Sequence, residues 1–237
     1  NYNRDVETFP ILKNILHHIT GKDIYFSPTD MGVNMVGYCI KNNDIVENAA
    51  KKEVVRRYFN ELCNYKQGIS DFDIVQKIKL LMNELNIDEN FLKVVEVSKK
   101  ASEKKKTNVI ALELPKGKII TGKQTDLLSP ASSVIINAIK ELSKIPDEIN
   151  LLSPTILEPI LKLRKNNNTL SLQEVLIALA VCSVTNPSIA SALEKLEVLK
   201  DCEAHATYIV TNGDLKALKS LKINLTCEPN FYSKEIM

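Results

Sequence analysis

Two cysteines and a histidine near the end of the chain are the residues whose chemistry best fits a metal site. Cys202 and His205 are separated by two residues, and Cys227 follows further along. Thiolate and imidazole groups bind zinc, but a structural zinc site normally has four protein ligands, and at best three converge here. Cys227 also lies in an apolar segment. We therefore favour a buried polar cluster over a metal site and assign no metal ligands.

The segment that begins at Ser27 is the best candidate for an anion site. Ser27, Thr29, Asp30 and Asn34 place four polar side chains within two helical turns. The free amides and the positive dipole end of a helix N-terminus favour a bound anion. The same residue types also cap ordinary helices, so both interpretations stay open. We expect this segment to belong to an interface with an anion, another subunit or another part of the polypeptide.

A second polar group lies at the start of the chain, where Asn3 and Arg4 precede Asp5 and Glu7. An arginine beside carboxylates can bind phosphate, although these residues commonly form a salt bridge at a helix start, which we favour. No catalytic residue is assigned. The candidate ligand-binding residues are Asn3, Arg4, Ser27, Thr29, Asp30 and Asn34.

The composition indicates a globular protein with a substantial core. The 237 residues are 44% apolar and 25% charged, and the formal net charge of +2 is far below that of most nucleic-acid binders. No apolar run reaches the ~18 residues that a membrane span requires. The five cysteines lack tight spacing, which favours a reducing compartment. We therefore expect a cytoplasmic protein that binds neither nucleic acid nor membranes.

The first hundred residues predict a bundle of helices. Apolar residues recur at helical spacing over residues 10–21, 43–68 and 90–105. Between the last two ranges, Ser70 and Asp73 have the spacing of a capping box, which predicts another helix start.

The pattern changes after a lysine-rich stretch at residues 99–106. Strand-type sequences flank Gly117, which can supply the positive φ of a hairpin turn, and strands and helices then alternate as in a three-layer α/β domain. We therefore predict an α+β chain with a helical domain at 1–107 and an α/β domain at 108–237, the latter with a helical insertion near 166–199. One sheet should contain strands near residues 108–114, 118–122, 149–152, 206–211 and 223–227.

Five segments resemble a bacterial family named domain of unknown function 1846. They are residues 1–7, 27–39, 111–115, 202–205 and 225–229. Members of that family are longer on the N-terminal side, where a nucleotide-binding-like half precedes these segments. The resemblance therefore implies that the chain is the C-terminal half of a cytoplasmic protein. It carries no catalytic residues over.

The order of elements from residue 108 onward also resembles the cytidine-deaminase-like fold. Zinc deaminases hold their metal with a His or Cys at the start of one helix and a Cys-x-x-Cys pair at the start of the next. The helices predicted here begin at Ser129 and Ser153 and offer hydroxyl groups such as those of Ser132 and Thr155, which are poor zinc ligands. The resemblance thus implies the fold without its zinc ligands and without the deaminase reaction.

Two hypotheses of function follow. In the first, the chain completes a phosphate- or nucleotide-type ligand site with the missing N-terminal half, which would hold the nucleotide, while this chain itself is assigned no cofactor. In the second, a degenerate deaminase-like domain serves as a non-catalytic module for self-assembly or scaffolding, and its partner is a second copy in a homo-oligomer. Whether the protein is an enzyme is left open.

Overall fold

The computed structural model describes residues 9–22, 24, 43–163 and 169–232. The chain divides into two compact units, residues 1–92 and 93–237. The fold class is α+β, with helices in both units and a four-stranded sheet in the second. Among the described residues, no helix has both the length and the sustained hydropathy needed to cross a bilayer.

The first unit is built from helices. It contains α1 (Phe9–Thr20), α2 (Asn43–Lys66) and α3 (Phe72–Glu84), followed by a 3-10 turn. Helices α2 and α3 pack through apolar side chains that recur at about one helical turn. The buried side chains of these two helices include Val55, Tyr58, Phe59, Ile78 and Met82. The predicted capping box at Ser70 is wrong, because Asp71 is the N-cap residue of α3 and its side chain makes no capping hydrogen bond.

The second unit combines helices with strands. Its elements are α4 (Lys93–Lys105), β1 (Val109–Glu113), β2 (Ile119–Lys123), α5 (Pro130–Leu142), α6 (Pro154–Lys162), α7 (Leu172–Ser183), α8 (Pro187–Glu194), β3 (Glu203–Ala206), α9 (Asn212–Ser220) and β4 (Asn224–Cys227). Proline is the first residue of α5, α6 and α8, where the missing amide hydrogen costs nothing. Ser171 and Glu174 form a capping box before α7.

The four strands are ordered β2-β1-β3-β4. Strand β1 is antiparallel to both of its neighbours, whereas β3 and β4 are parallel and are connected through α9. The predicted hairpin at Gly117 is confirmed: φ is +79° at Lys116 and +83° at Gly117, in the turn between β1 and β2. Strands β2 and β4 are therefore the edges of this sheet.

Helix α5 covers one face of the sheet. It packs on β1 and β2, and α7, α8 and α9 complete a core that includes Ile110, Leu112 and Ala204. The contact with β2 depends on Gly122, because a Cβ at that position would lie 2.1 Å from the backbone nitrogen of Val134 in α5.

Helix α4 covers the opposite face. Successive strand residues point to opposite sides of a sheet, so the neighbours of the α5-facing residues point toward α4. Ala111 and His205 are paired in register on this side, and both are fully buried. The sheet thus lies between two layers of helices.

Two strand predictions are wrong. Residues 149–152 form a turn before α6; Leu151 and Leu152 are buried there because a loop inserts into the core, which a short apolar run does not distinguish from a strand. The third strand is β3, at Glu203–Ala206, instead of residues 206–211. Its buried polar side chains, Glu203 and His205, concealed it in the sequence pattern.

The compact units divide at residue 92, whereas the sequence pattern placed the domain boundary at 107. The difference is α4, whose periodicity continues that of the preceding helices but which packs on β1 and β3 of the second unit. Helices α7 and α8 lie within the range 166–199 that the sequence marked as a helical insertion.

Candidate functional site

The six ligand-binding residues suggested by the sequence lie outside the described residues. They are Asn3, Arg4, Ser27, Thr29, Asp30 and Asn34. The interface predicted for residues 27–38 lies outside them as well. The features described below belong to the second unit, whose residues are described almost throughout.

Cys202, His205 and Cys227 do not share a site. Cys202 and Cys227 belong to the core on the α5 side of the sheet, whereas His205 points toward α4. Within the part of the chain that the structure describes, no group of three or more His, Cys, Asp or Glu side chains is placed to hold a metal ion.

Both thiols are also poor ligands in their protonated form. Burial raises the pKa of Cys202, and the nearby carboxylates of Glu113 and Glu203 raise it further. Burial raises the pKa of Cys227 to about 11. Since the thiolate is the form that binds metals, neither sulfur is prepared for coordination at neutral pH.

His205 instead belongs to a buried polar cluster. Its Nδ1 lies 2.8 Å from Oγ1 of Thr226, and its Nε2 lies 3.1 Å from Oε1 of Glu228. The same Glu228 oxygen lies 2.9 Å from Nζ of Lys99 in α4. The Thr226 hydroxyl also donates to the backbone oxygen of Ala204, 3.1 Å away. The imidazole is thus held through both of its ring nitrogens.

A nucleophilic triad consists of a carboxylate, an imidazole and a hydroxyl that are hydrogen-bonded in this order. The cluster contains the same three groups, but it does not have triad chemistry. The Thr226 hydroxyl is buried in the sheet and donates its proton to a backbone carbonyl, so it is not available to attack a substrate. Burial alone would raise the pKa of Glu228, but the hydrogen bonds from His205 and Lys99 outweigh it and lower the pKa. The cluster therefore acts structurally, connecting α4 to the end of β4.

A cavity of about 610 Å³ lies beside the edge strand β2 and α5. We term it the lysine cavity, because Lys105, Lys118, Lys123 and Lys140 line it. These residues come from the end of α4, the two ends of β2 and the last turn of α5. Two acidic residues also line the cavity, Glu141 and Asp147.

Positively charged side chains outnumber negatively charged ones in the lysine cavity. Lys118 forms an ion pair with Glu141. Lys105 and Lys123 are exposed, and neither has an ion-pair partner among the residues that the structure describes. The carboxylate of Asp147 is the remaining negative group. The cavity thus carries a surplus of positive charge.

Lys140 is the most unusual group in the cavity, since only 7% of its surface is exposed. Its Nζ donates to the backbone oxygen of Asp147 at 2.9 Å. No carboxylate of the described residues lies within ion-pair distance of this ammonium group. An ammonium has three N–H donors, and the protein accepts one of them.

Ser133, in the first turns of α5, also lines the cavity and is only 8% exposed. Its Oγ has no hydrogen-bond partner among the described residues. A buried polar group without a partner costs roughly 1–3 kcal/mol.

A second cavity, of about 410 Å³, lies where three helices begin, and we term it the acidic cavity. Ser129, Ser171 and Thr211, the N-cap residues of α5, α7 and α9, line it. The amide of Ser171 already donates to Glu174 (2.8 Å), and that of Leu172 donates to Asp214 (2.6 Å). Carboxylates thus occupy these two amides at the start of α7, while the hydroxyls of Ser129 and Thr211 accept from the amides of Ser132 and Asp214 in α5 and α9.

The sequence contained no specific signal for the lysine cavity. Lysines at the ends of an edge strand commonly prevent edge-to-edge aggregation, and a lysine late in a helix is typical of ordinary capping. The exceptional feature of Lys140 is its burial, which depends on the turn at Asp147.

The whole chain matches family models. Residues 1–86 match the N-terminal domain of unknown function DUF1846, and residues 90–237 match its C-terminal domain. The chain belongs to the DUF1846 family. Since the N-terminal model also matches, the chain is not confined to the C-terminal domain of this family. Three of the segments that carried the resemblance lie at β1, β3 and β4, so they form neighbouring strands of one sheet.

Relatives of this DUF1846 chain are found in clostridia. A "UPF0371 protein" of Clostridium tetani is 43% identical over 250 aligned residues. A "UPF0371 protein" of Clostridium botulinum strain Alaska E43 is 46% identical over the same length. Each alignment covers the entire chain and 50% of the relative. The chain thus spans about half the length of the curated relatives it matches.

Proposed function

We propose that the second unit binds a small anionic ligand of the phosphate type in the lysine cavity. The observation that carries this proposal is the buried Lys140 ammonium, which has a backbone carbonyl as its partner where a carboxylate would be expected. Removing a charge from water costs several kcal/mol unless it is paired. A bound phosphate would supply the missing negative charge and accept the remaining N–H donors.

Two further groups support this assignment. Lys105 and Lys123 add positive charge at the cavity wall. The acidic cavity provides the contrast, since Glu174 and Asp214 line it and none of its lining residues is a lysine or arginine. Charge therefore favours the lysine cavity as the anion site.

The test is titration with inorganic pyrophosphate, followed by isothermal calorimetry at low and high salt. We expect binding that weakens with salt, and a loss of about tenfold in affinity in the double variant Lys105→Gln/Lys123→Gln, equivalent to ~1.4 kcal/mol. The matched control is Lys216→Gln/Lys219→Gln, which removes two exposed lysines of α9 outside the cavity. Equal losses in the two double variants, or no binding by the parent protein, would contradict the proposal.

The deaminase-like topology of this unit is also proposed, as a non-catalytic version. The hairpin, the covering helices on both faces and the parallel pair β3 and β4 joined by α9 support it, whereas the turn at 149–152 departs from it. Ser132 lies near the start of α5, where a deaminase would hold zinc, and its Oγ instead donates to the backbone oxygen of Leu170. Because this hydroxyl is already hydrogen-bonded to the backbone, its environment supports a binding role of the unit over deaminase chemistry.

A second candidate function is self-association through α7. This helix is apolar on nearly all sides, yet a large fraction of the surface of Ile177 (59%) and Val181 (67%) is exposed, as is that of Val184 (85%), the residue that follows the helix. Helices of that type are normally buried. A second copy is a suitable partner, because an apolar surface can meet its own equivalent without opposing like charges. We expect Val181→Asp, and not Val198→Asp, to shift the sedimentation coefficient of a dimer to that of a monomer; a monomeric parent protein would contradict the candidate.

A further inference from the structure

We infer that the ligand of the lysine cavity is an organic phosphate with an aliphatic chain. The inference rests on the proposed function and adds the chemistry of the part of the ligand beyond the phosphate. The evidence is the composition of the cavity wall between and around the lysines.

Six aliphatic side chains form the apolar part of the wall, and they stand beside the uncharged polar residues Thr121, Thr125, Ser133, Asn137 and Asn150. The aliphatic members are Ile120, Leu128, Ile136, Leu151, Leu152 and Leu157. The two leucines of the turn before α6 and Leu157 are nearly completely buried, so they form a fixed apolar floor within the core. Hydrocarbon placed against such a floor leaves water, which is the main source of affinity for apolar groups.

The wall does not suit a nucleobase. Bases are commonly held by stacking on aromatic rings or on arginine guanidinium groups. None of the residues that line the cavity is aromatic or an arginine. Of the two asparagines in the lining, Asn137 already donates its amide to the backbone oxygen of Thr121. The cavity therefore lacks the stacking groups that commonly hold a base.

The volume leaves room for a chain. About 610 Å³ falls within the usual range of roughly 300–1,000 Å³ for small-molecule sites and far exceeds what an inorganic phosphate fills. With the phosphate near Lys140, the space beside the leucine floor would otherwise hold water against apolar side chains. An aliphatic chain in that space would displace this water.

The experiment measures the dissociation constants of ethyl, butyl, hexyl and octyl phosphate, each below its micelle concentration. Adenosine monophosphate is measured in the same way as the nucleotide for comparison. Burial of a methylene strengthens binding by up to about fourfold, so we expect affinity to rise with every added pair of methylenes until the cavity is full. Hexyl phosphate should bind more tightly than adenosine monophosphate. A vesicle arm containing phosphatidic acid distinguishes a membrane lipid from a soluble ligand as the source of this chemistry, and either source supports the inference.

Two variants separate the possible failures. Ile120→Thr, at a half-buried position of β2, should weaken octyl phosphate several-fold and leave ethyl phosphate unchanged, whereas Lys105→Gln/Lys123→Gln should weaken the whole series equally. If phosphates bind with lysine dependence but chain length has no effect, or if adenosine monophosphate binds best, the inference is wrong and the proposed function stands. If no member of the series binds with lysine dependence, the proposed function itself is wrong.

Discussion

Replacing Gly122 by alanine should strongly destabilise the second unit. The new Cβ would lie 2.1 Å from the backbone nitrogen of Val134, 2.5 Å from its Cα and 2.7 Å from the backbone oxygen of Pro130. These atoms belong to the backbone of α5, so no side-chain rotation relieves the contact. Helix α5 must move away from β2 by about 1 Å to restore normal packing, and that movement opens the core between the helix and the sheet.

The expected loss of unfolding free energy follows from the displacement of α5. Overpacking a core usually costs ~1–3 kcal/mol, and displacement of a whole helix places Gly122→Ala at or above the upper end, about 3 kcal/mol. Stability of a domain is ~5–15 kcal/mol in total, so the variant should fold with a clearly reduced margin. For a domain of this size, 3 kcal/mol corresponds to a fall in Tm of roughly 6–12 °C.

The assay is urea unfolding followed by circular dichroism at 222 nm, with Gly213→Ala as the matched control. An alanine at Gly213, in the first turn of α9, meets no atom within 4 Å, so we expect its stability to stay equal or to rise by up to ~1 kcal/mol. A free energy of unfolding for Gly122→Ala within about 0.5 kcal/mol of the parent value would refute the packing argument. Thr121 and Lys123 line the lysine cavity, so Gly122→Ala should weaken pyrophosphate binding as well.

Three other predictions follow from the second unit. The pKa of Glu228 is lowered in the folded state, so this residue stabilises the fold above its unfolded pKa of ~4.3, and the contribution disappears as the pH falls through the folded pKa. Glu228→Gln should therefore reduce the loss of unfolding free energy at acid pH. An unchanged pH dependence in that range would contradict the cluster. The thiols of Cys202 and Cys227 should react with a disulfide reagent at pH 8 far more slowly in the native protein than in urea, since burial raises both pKa values; equal rates would exclude the placement described. Ser129→Ala removes an N-cap that accepts from the amide of Ser132 at 3.2 Å, so it should lower the free energy of unfolding by ~1–2 kcal/mol in the same urea assay.

Local sequence signals were sufficient for most helices. The pairs Ser129-Pro130 and Asn186-Pro187 and the capping box at Ser171 each specify a helix start within four residues, because N-cap hydrogen bonds and the fixed φ of proline act over a single turn. The hairpin turn at Gly117 is local for the same reason. The sequence by itself therefore determined the α+β class, the positions of these elements and membership of a family.

The tertiary structure alone decided which groups meet. In the sequence, the polar residues of β3 interrupt the apolar pattern of a strand. The structure explains the buried His205, because Thr226 and Glu228 of the neighbouring segment are its hydrogen-bond partners. Likewise, Lys140 is an ordinary helical lysine until the turn at Asp147 buries it. Both outcomes depend on contacts between distant parts of the chain, and the spacing of residues along one element contains no information about them. That is why the lysine cavity could not be predicted from the sequence, whereas the anion site predicted at Ser27 lies outside the described residues and stays a prediction.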